Sequence, residues 1–142
     1  MSTVIAPDAV LDCPPVVLEL IERQGRAWMA NDFALAAPDW SPDGVLTAPG
    51  VVVPYHGLEA AMQAFHDDYT DLRITITHAF AAPGARLACL EWLWATTRRD
   101  DGESSVTADA IVVELRGGLI TAWREYFDTA GSVEDHHRET AP

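Results

Sequence analysis

The chain changes its hydrophobic period partway along. Val17, Leu20, Ile21, Gln24 and Trp28 recur at three- and four-residue spacing, with Glu19, Glu22, Arg23 and Arg26 opposite. That spacing predicts an amphipathic helix. Pro14 and Pro15 open it, since a proline in the first turn lacks an N–H that had no helical partner anyway. Asn31 and Asp32 end it and can cap a short second helix, Phe33 to Ala37, which Pro38 stops. Leu58, Met62, Phe65 and Tyr69 mark a third helix, with Asp67, Asp68 and Asp71 at its polar end.

After Asp71 the period becomes two. Leu72, Ile74, Ile76, His78 and Phe80 alternate with Arg73, Thr75, Thr77 and Ala79, the pattern of a strand with one buried face. Arg86 to Thr97, Val106 to Leu115 and Leu119 to Asp128 read as three more strands, joined by loops holding Asp101-Gly102 and Gly117-Gly118. A short strand, Val45 to Ala48, follows a turn at Ser41-Pro42-Asp43-Gly44, and a Pro- and Gly-rich stretch runs from Pro49 to Gly57. Helices followed by an antiparallel meander predict an α+β fold with the helices packed on one sheet face. Strands of about ten residues must twist and bend to cover a helix, which makes a concave inner surface.

The length of 142 residues fits one domain. Residues 1–13 are expected as a flexible arm, 14–128 as the folded domain and 129–142 as a loose polar tail. Apolar residues make up 49% of the chain, enough for a core. The net charge of −13 repels a phosphate backbone and anionic lipid, which argues against nucleic acid and membrane partners. No window is long and apolar enough to span a bilayer, and the first residues lack the basic start of a signal peptide, so a cytoplasmic setting is expected. Cys89 is expected as a small buried hydrophobe and Cys13 as an incidental thiol. No metal-ligand spacing, phosphate-cradling loop or nucleophile elbow is present, so neither metal nor cofactor is expected. His136 and His137 beside Glu134 and Asp135 read as part of the charged tail.

The candidate chemistry lies on apolar strand faces. Glu125 alternates with Thr121, Trp123 and Phe127, so it is either a desolvated acid or base, or an outward residue paired with Arg124. Asp109 alternates with Thr107, Ile111, Val113 and Leu115. If Arg116-Gly117-Gly118 forms a three-residue loop, Leu115 pairs with Leu119 and Asp109 falls opposite Glu125. With a two-residue loop at Gly117-Gly118 the carboxylates take opposite faces. The three-residue loop gives the more coherent apolar face and is the expected one. Facing carboxylates would hold one proton between them, one acting as acid and the other as base. His78, on an apolar face, is either a core residue or an auxiliary proton shuttle. Trp92 and Trp94 share one side of their strand and, with Trp28, Tyr55, Phe65, Tyr69 and Trp123, are candidates to line a substrate pocket or to pack the core.

Several segments together resemble the nuclear-transport-factor-2-like superfamily. They are Trp28 with Asn31-Asp32-Phe33, Ser41-Pro42-Asp43-Gly44-Val45, Gly57-Leu58-Glu59-Ala60-Ala61, Glu91-Trp92, Gly118-Leu119-Ile120 and Trp123-Arg124-Glu125-Tyr126-Phe127-Asp128. That superfamily includes ketosteroid isomerases, limonene epoxide hydrolases, scytalone dehydratase and polyketide cyclases of the SnoaL type. The resemblance implies a cone-shaped (cystatin-like) fold, a curved antiparallel sheet packed on three N-terminal helices, and a homodimer formed through the outer sheet face. The closing segment is most similar to limonene epoxide hydrolases, where the position matching Glu125 is a catalytic acid. The chain departs from them at Trp92 and Trp94, where they carry Arg and Asp, and near Leu46 and Ala48, where they hold the attacking water. The ketosteroid isomerase base position also falls near Ala48. Two functions follow as expectations. One is a cofactor-independent acid–base enzyme for a small apolar molecule, of isomerase, cyclase, dehydratase or epoxide hydrolase type. The other is a non-catalytic domain that binds a small ligand or dimerises.

Overall fold

Helix α1 (Pro15–Ala30) begins where the paired prolines place it and ends at Asn31, whose left-handed φ of 52° lets its N–H reach the closing carbonyls. The computed structural model describes residues 4–129. A four-residue helix α2 (Phe33–Ala36) and a 3₁₀ turn (Ala37–Asp39) follow, and α3 covers Leu58–Asp68. The strands are β1 (Val4–Asp12), β2 (Trp40–Ala48), β3 (Val51–Pro54), β4 (Tyr69–Ala81), β5 (Leu87–Arg98), β6 (Ser104–Arg116) and β7 (Leu119–Tyr126). They form one sheet in the order β1-β4-β5-β6-β7-β2-β3.

The meander β4 to β7 is antiparallel, as its hairpins require. The sheet as a whole is mixed, because β1 joins β4 and β2 joins β7 in parallel. The fold class is α+β, with three α-helices among the described residues. They are interleaved with the sheet rather than all N-terminal to it, since α3 follows β2 and β3.

Apolar side chains of α1 (Val17, Leu20, Ile21) and the inner faces of β4 to β7 (Ile74, Ile76, Leu90, Ile111, Val113, Ile120) form the core. A buried polar network joins α1 to the start of β2. Arg23 grips Asp39 through two bonds of 3.0 and 2.8 Å, and Gln24 donates to the Ala36 carbonyl and to Asp39. The Trp40 indole donates to Gln24 at 3.0 Å. Buried polar groups are tolerable when bonded this fully, so Gln24 can occupy the apolar face of the helix.

Several expectations need correction. Residues 4–12 are not a loose arm. They form an edge strand whose register breaks between Ile5 and Val10, around Pro7, a residue that edge strands accommodate. Ser41-Pro42-Asp43-Gly44 is not a free turn but an irregularity within β2, between Trp40 and Val45. Gly44 is needed there, because a Cβ would lie 2.7 Å from the Ile120 carbonyl oxygen and 2.7 Å from the Trp40 ring. Tyr69 starts β4 instead of ending α3. Cys89 is half-buried on the outer face, since the inner positions of β5 are Ala88, Leu90 and Trp92. Most of the expected tail, with His136 and His137, lies outside the described residues.

Two one-residue shifts decide which side chains face inward. In β4, Ile76 pairs with Trp92 and His78 with Glu91, so Thr77 is the extra residue. Beyond it the faces exchange: Ala79 is fully buried, while His78 and Phe80 point outward. In β7 the loop is the two-residue Gly117-Gly118, with Arg116 opposite Leu119, and not the expected three-residue loop. That slip would have sent Glu125 outward. Thr121 is bulged between the Leu115–Ile120 and Glu114–Ala122 pairs, and it restores the phase. Val113 then faces Trp123 and Ile111 faces Glu125.

Candidate active site

The core fills one end of the sheet's concave face, and at the other end a cavity of about 510 Å³ opens. Its size suits a small organic molecule. Its walls come from α1 (Trp28), α3 (Ala61, Phe65), the β2–β3 hairpin (Leu46, Val51) and the inner faces of β5, β6 and β7. Aromatic side chains contribute much of that wall. Trp28, Phe65 and Trp94 meet edge to face with centroids 5.1–6.2 Å apart, and Phe65 stacks on Tyr69 at 5.0 Å.

Asp109 and Glu125 lie together on this wall. Glu125 is paired with Ile111, and Asp109 is two residues further along β6 on the same face, so the carboxylates are diagonal neighbours. Each accepts an indole N–H. Trp92 Nε1 donates to Asp109 Oδ2 at 3.3 Å from the position directly across the strand pair, and Trp123 Nε1 donates to Glu125 Oε2 at 2.9 Å. The Trp92 and Trp123 rings lie 5.7 Å apart, so the two donors form one aromatic floor beneath the two acids.

Asp109 is only 4% exposed. Burial is the main force that pushes its carboxyl up to about 10. Hydrogen bonding and repulsion from Glu125 add to the rise, against the pull of the Trp92 indole and the Tyr126 backbone N–H. Its Oδ1 atom is buried with no hydrogen-bond donor among the described residues. An ionised Asp109 would leave that oxygen both charged and unpartnered, whereas a proton on Asp109 gives the pair the donor it lacks. Burial thus keeps the Asp109 carboxyl protonated at neutral pH, where it can donate to Glu125.

Of the other sequence candidates, Trp28, Phe65, Tyr69, Trp92, Trp94 and Trp123 line the cavity. Tyr55 does not. It packs against Phe33 and stacks on Trp40, near the start of β2. His78 is also outside, turned away by the Thr77 bulge, with its Nδ1 3.3 Å from Glu91 on the outer face. Arg124 pairs with Glu114 on that outer face, so among the described residues no ion pair to Glu125 is formed. Sequence reasoning missed the hydroxyls of Thr96, Ser105 and Thr107 and the carboxylate of Asp68, which also line the cavity. The even alternation of Ser105 and Thr107 with Asp109 was the available signal. Among the described residues no group of three or more His, Cys, Asp or Glu could hold a metal ion, and no helix is long and apolar enough to cross a membrane.

None of the curated proteins matches the chain. Solved structures do. A Catenulispora acidiphila DSM 44928 protein with a ketosteroid isomerase-like fold, solved with trimethylamine, has a TM-score of 0.73 at 14% identity, over 92% of this chain and 99% of that one. A Mycobacterium tuberculosis epoxide hydrolase of the limonene type has a TM-score of 0.70 at 18% identity, over 87% and 90% of the two chains. A Pseudomonas putida KT2440 protein provisionally named a polyketide cyclase has a TM-score of 0.72 at 18% identity, over 82% and 94%. Likeness at these identities shows the fold, and together with the family match over most of the chain it supports the nuclear-transport-factor-2-like superfamily. The SnoaL-like domain matches residues 17–123, from the first turns of α1 to the tryptophan that holds Glu125, and the chain belongs to that family.

Proposed function

We propose that this protein is a cofactor-independent acid–base enzyme that acts on a small, largely apolar molecule, in a reaction of isomerase or cyclase type. The observation that carries the reading is the Asp109–Glu125 pair on the wall of a largely apolar cavity, with the Asp109 carboxyl pushed up by burial. Glu125 takes a proton from a carbon beside a carbonyl. Asp109 gives its proton, or a hydrogen bond, to the carbonyl oxygen as that oxygen gains charge. Return of the proton from Glu125 to a different carbon, while Asp109 takes back the proton of the enol oxygen, completes an isomerisation. Attack of the enol carbon on a second carbonyl, whose oxygen takes the proton held by Glu125 while Asp109 recovers the enol proton, completes a ring closure. The indole donors fix both carboxyls, so neither has to reorient during the step. Leu46 and Ala48, on the wall where limonene epoxide hydrolases hold water, supply no hydrogen-bonding side chain, which favours proton transfer over hydrolysis.

The test is turnover of a panel of β,γ-unsaturated cyclic ketones, linear polyketide mimics and cycloalkene oxides by the wild type, Glu125→Gln and Asp109→Asn, with circular dichroism to check folding. The reading expects turnover of at least one carbonyl substrate, falling at least a hundredfold in each variant. Undiminished turnover by either folded variant removes that residue from the mechanism. Binding without turnover across the panel favours a ligand-holding domain.

The proposal extends to a second copy of the chain against the outer sheet face. Phe80, Cys89 and Val112 are cross-strand neighbours there and form an apolar stripe. Sedimentation of the wild type against Phe80→Glu tests it: a dimer in the former and a monomer in the latter is the expected pair, and identical masses count against it.

A further inference from the structure

Among the described residues the charged groups that face the cavity are all of one sign: Asp68, Asp109 and Glu125 line it, and no Arg or His does. The nearby basic groups are committed elsewhere. Arg124 is paired with Glu114, Arg98 with Asp101 and Glu103, and Arg99 donates its Nε–H to the His66 carbonyl. The His66 ring is held on the Trp28 carbonyl at 2.6 Å. The negative charge of the acid pair therefore has no counter-charge among the described residues. Buried or half-buried charges are ordinarily paired, because desolvation without a partner is expensive.

The rest of the wall suits the ligand that would supply that counter-charge. Trp28, Phe65, Tyr69 and Trp94 cluster beside the acids. Aromatic rings attract alkylated ammonium groups through their negative faces while accepting the N-alkyl carbons as apolar surface. An anionic substrate would meet three carboxyl groups and no donor cation. A neutral hydrocarbon would fill the space but leave the charge unpaired.

We infer that the cavity selects a molecule bearing an alkylated ammonium group with at least one N–H, seated on the aromatic wall with its N–H turned to the Asp109–Glu125 pair. The inference rests on the reading of this cavity as the substrate site and adds the chemical class. Most of the reacting molecule remains apolar, and the cation lies at one end of it. The overall charge of −13 acts in the same direction, raising the local concentration of cations and depleting anions.

The test is direct binding, read by tryptophan emission and calorimetry at pH 7, with four probes of one size: protonated benzyldimethylamine, benzyltrimethylammonium, neopentylbenzene as the neutral isostere, and phenylacetate. The expected order is benzyldimethylammonium tightest and neopentylbenzene at least ~tenfold weaker, with phenylacetate not binding. Benzyltrimethylammonium, which keeps the charge but lacks the N–H, falls between. In Glu125→Gln the preference for ammonium over neopentylbenzene should collapse to within about threefold, while neopentylbenzene binds as in the wild type and so reports an intact cavity. Two results overturn the inference: neopentylbenzene binding as tightly as the ammonium probes to the wild type, or an ammonium preference that survives Glu125→Gln. Because no arm depends on turnover, the outcome is separable from the catalytic reading. Acid-pair variants that abolish turnover of neutral ketones, with no ammonium preference, would sink this inference alone. An ammonium preference in a protein whose variants keep full turnover would sink the catalytic reading alone.

Discussion

Replacing Asp109 with asparagine should make the protein more stable, and increasingly so as pH rises. Asparagine keeps the shape and can still accept the Trp92 indole bond, but it never has to ionise. In the native state the Asp109 carboxyl is raised from the usual carboxylate range to about 10, chiefly by burial. In the unfolded chain it titrates near ~3.9. Between those values the unfolded chain has released a proton that the native protein keeps. The unfolded state then binds fewer protons, and unfolding becomes easier with each step up in pH. Below about pH 4 both states are protonated and the effect vanishes. Within the window the slope approaches 1.4 kcal/mol per pH unit, so three units, from pH 5 to pH 8, amount to about 4 kcal/mol. That is a large share of the roughly 5–15 kcal/mol that holds a domain folded. The assay is urea unfolding of both proteins at pH 5, 6, 7 and 8, comparing midpoints at constant m-value. The stability gap between variant and wild type should widen steadily over that range. A gap that stays within about 1 kcal/mol at every pH would mean that Asp109 is ionised in the folded protein, and the acid role assigned to it would fall.

Trp123→Phe keeps the ring and removes the N–H that holds Glu125. Turnover should fall about tenfold with the fold intact, and unchanged turnover would show that the indole bond does not position the carboxylate. Asp39→Ala strips Arg23 and Gln24 of their shared acceptor and should cost about 2 kcal/mol in denaturant unfolding, while a loss below about 0.5 kcal/mol would show that the network is dispensable. Gly44→Ala forces a Cβ against the Ile120 carbonyl and the Trp40 ring and should cost about 1–3 kcal/mol in thermal unfolding. An unchanged midpoint would show that β2 yields there. His78→Ala, on the outer face, should leave turnover unaltered and change stability by less than about 0.5 kcal/mol, and a drop in turnover would bring the imidazole back into the mechanism.

The helices were legible because each carries its own punctuation: two prolines and an asparagine bound α1, and Leu58, Met62 and Phe65 at helical spacing mark the inward side of α3. The strands of the meander were legible from their alternation. What alternation cannot carry is a phase slip. Thr77 is chemically ordinary, and nothing in its neighbours announces that it is the extra residue that turns His78 outward. The acid pair was placed on one face through a loop that the chain does not form. The true loop is one residue shorter, and the bulge at Thr121 cancels the difference. The right face thus came from two offsetting events, neither visible in the residue types. β1 escaped notice because its proline and aspartates break the strand pattern and its partner, β4, lies more than sixty residues away in the chain. The indole bonds to the carboxyls were hidden for the same reason, since the Trp92–Asp109 contact depends on cross-strand register.

The two indole bonds also give the molecule an internal gauge. Indole emission responds to whether the carboxyl group bonded to its N–H holds a proton, and Trp92 and Trp123 are each bonded to one member of the pair. The other three tryptophans, Trp28, Trp40 and Trp94, have no carboxyl among the hydrogen bonds described above. The protonation state of the site can therefore be followed by native fluorescence, without a label or a substrate, in any variant that retains those two rings.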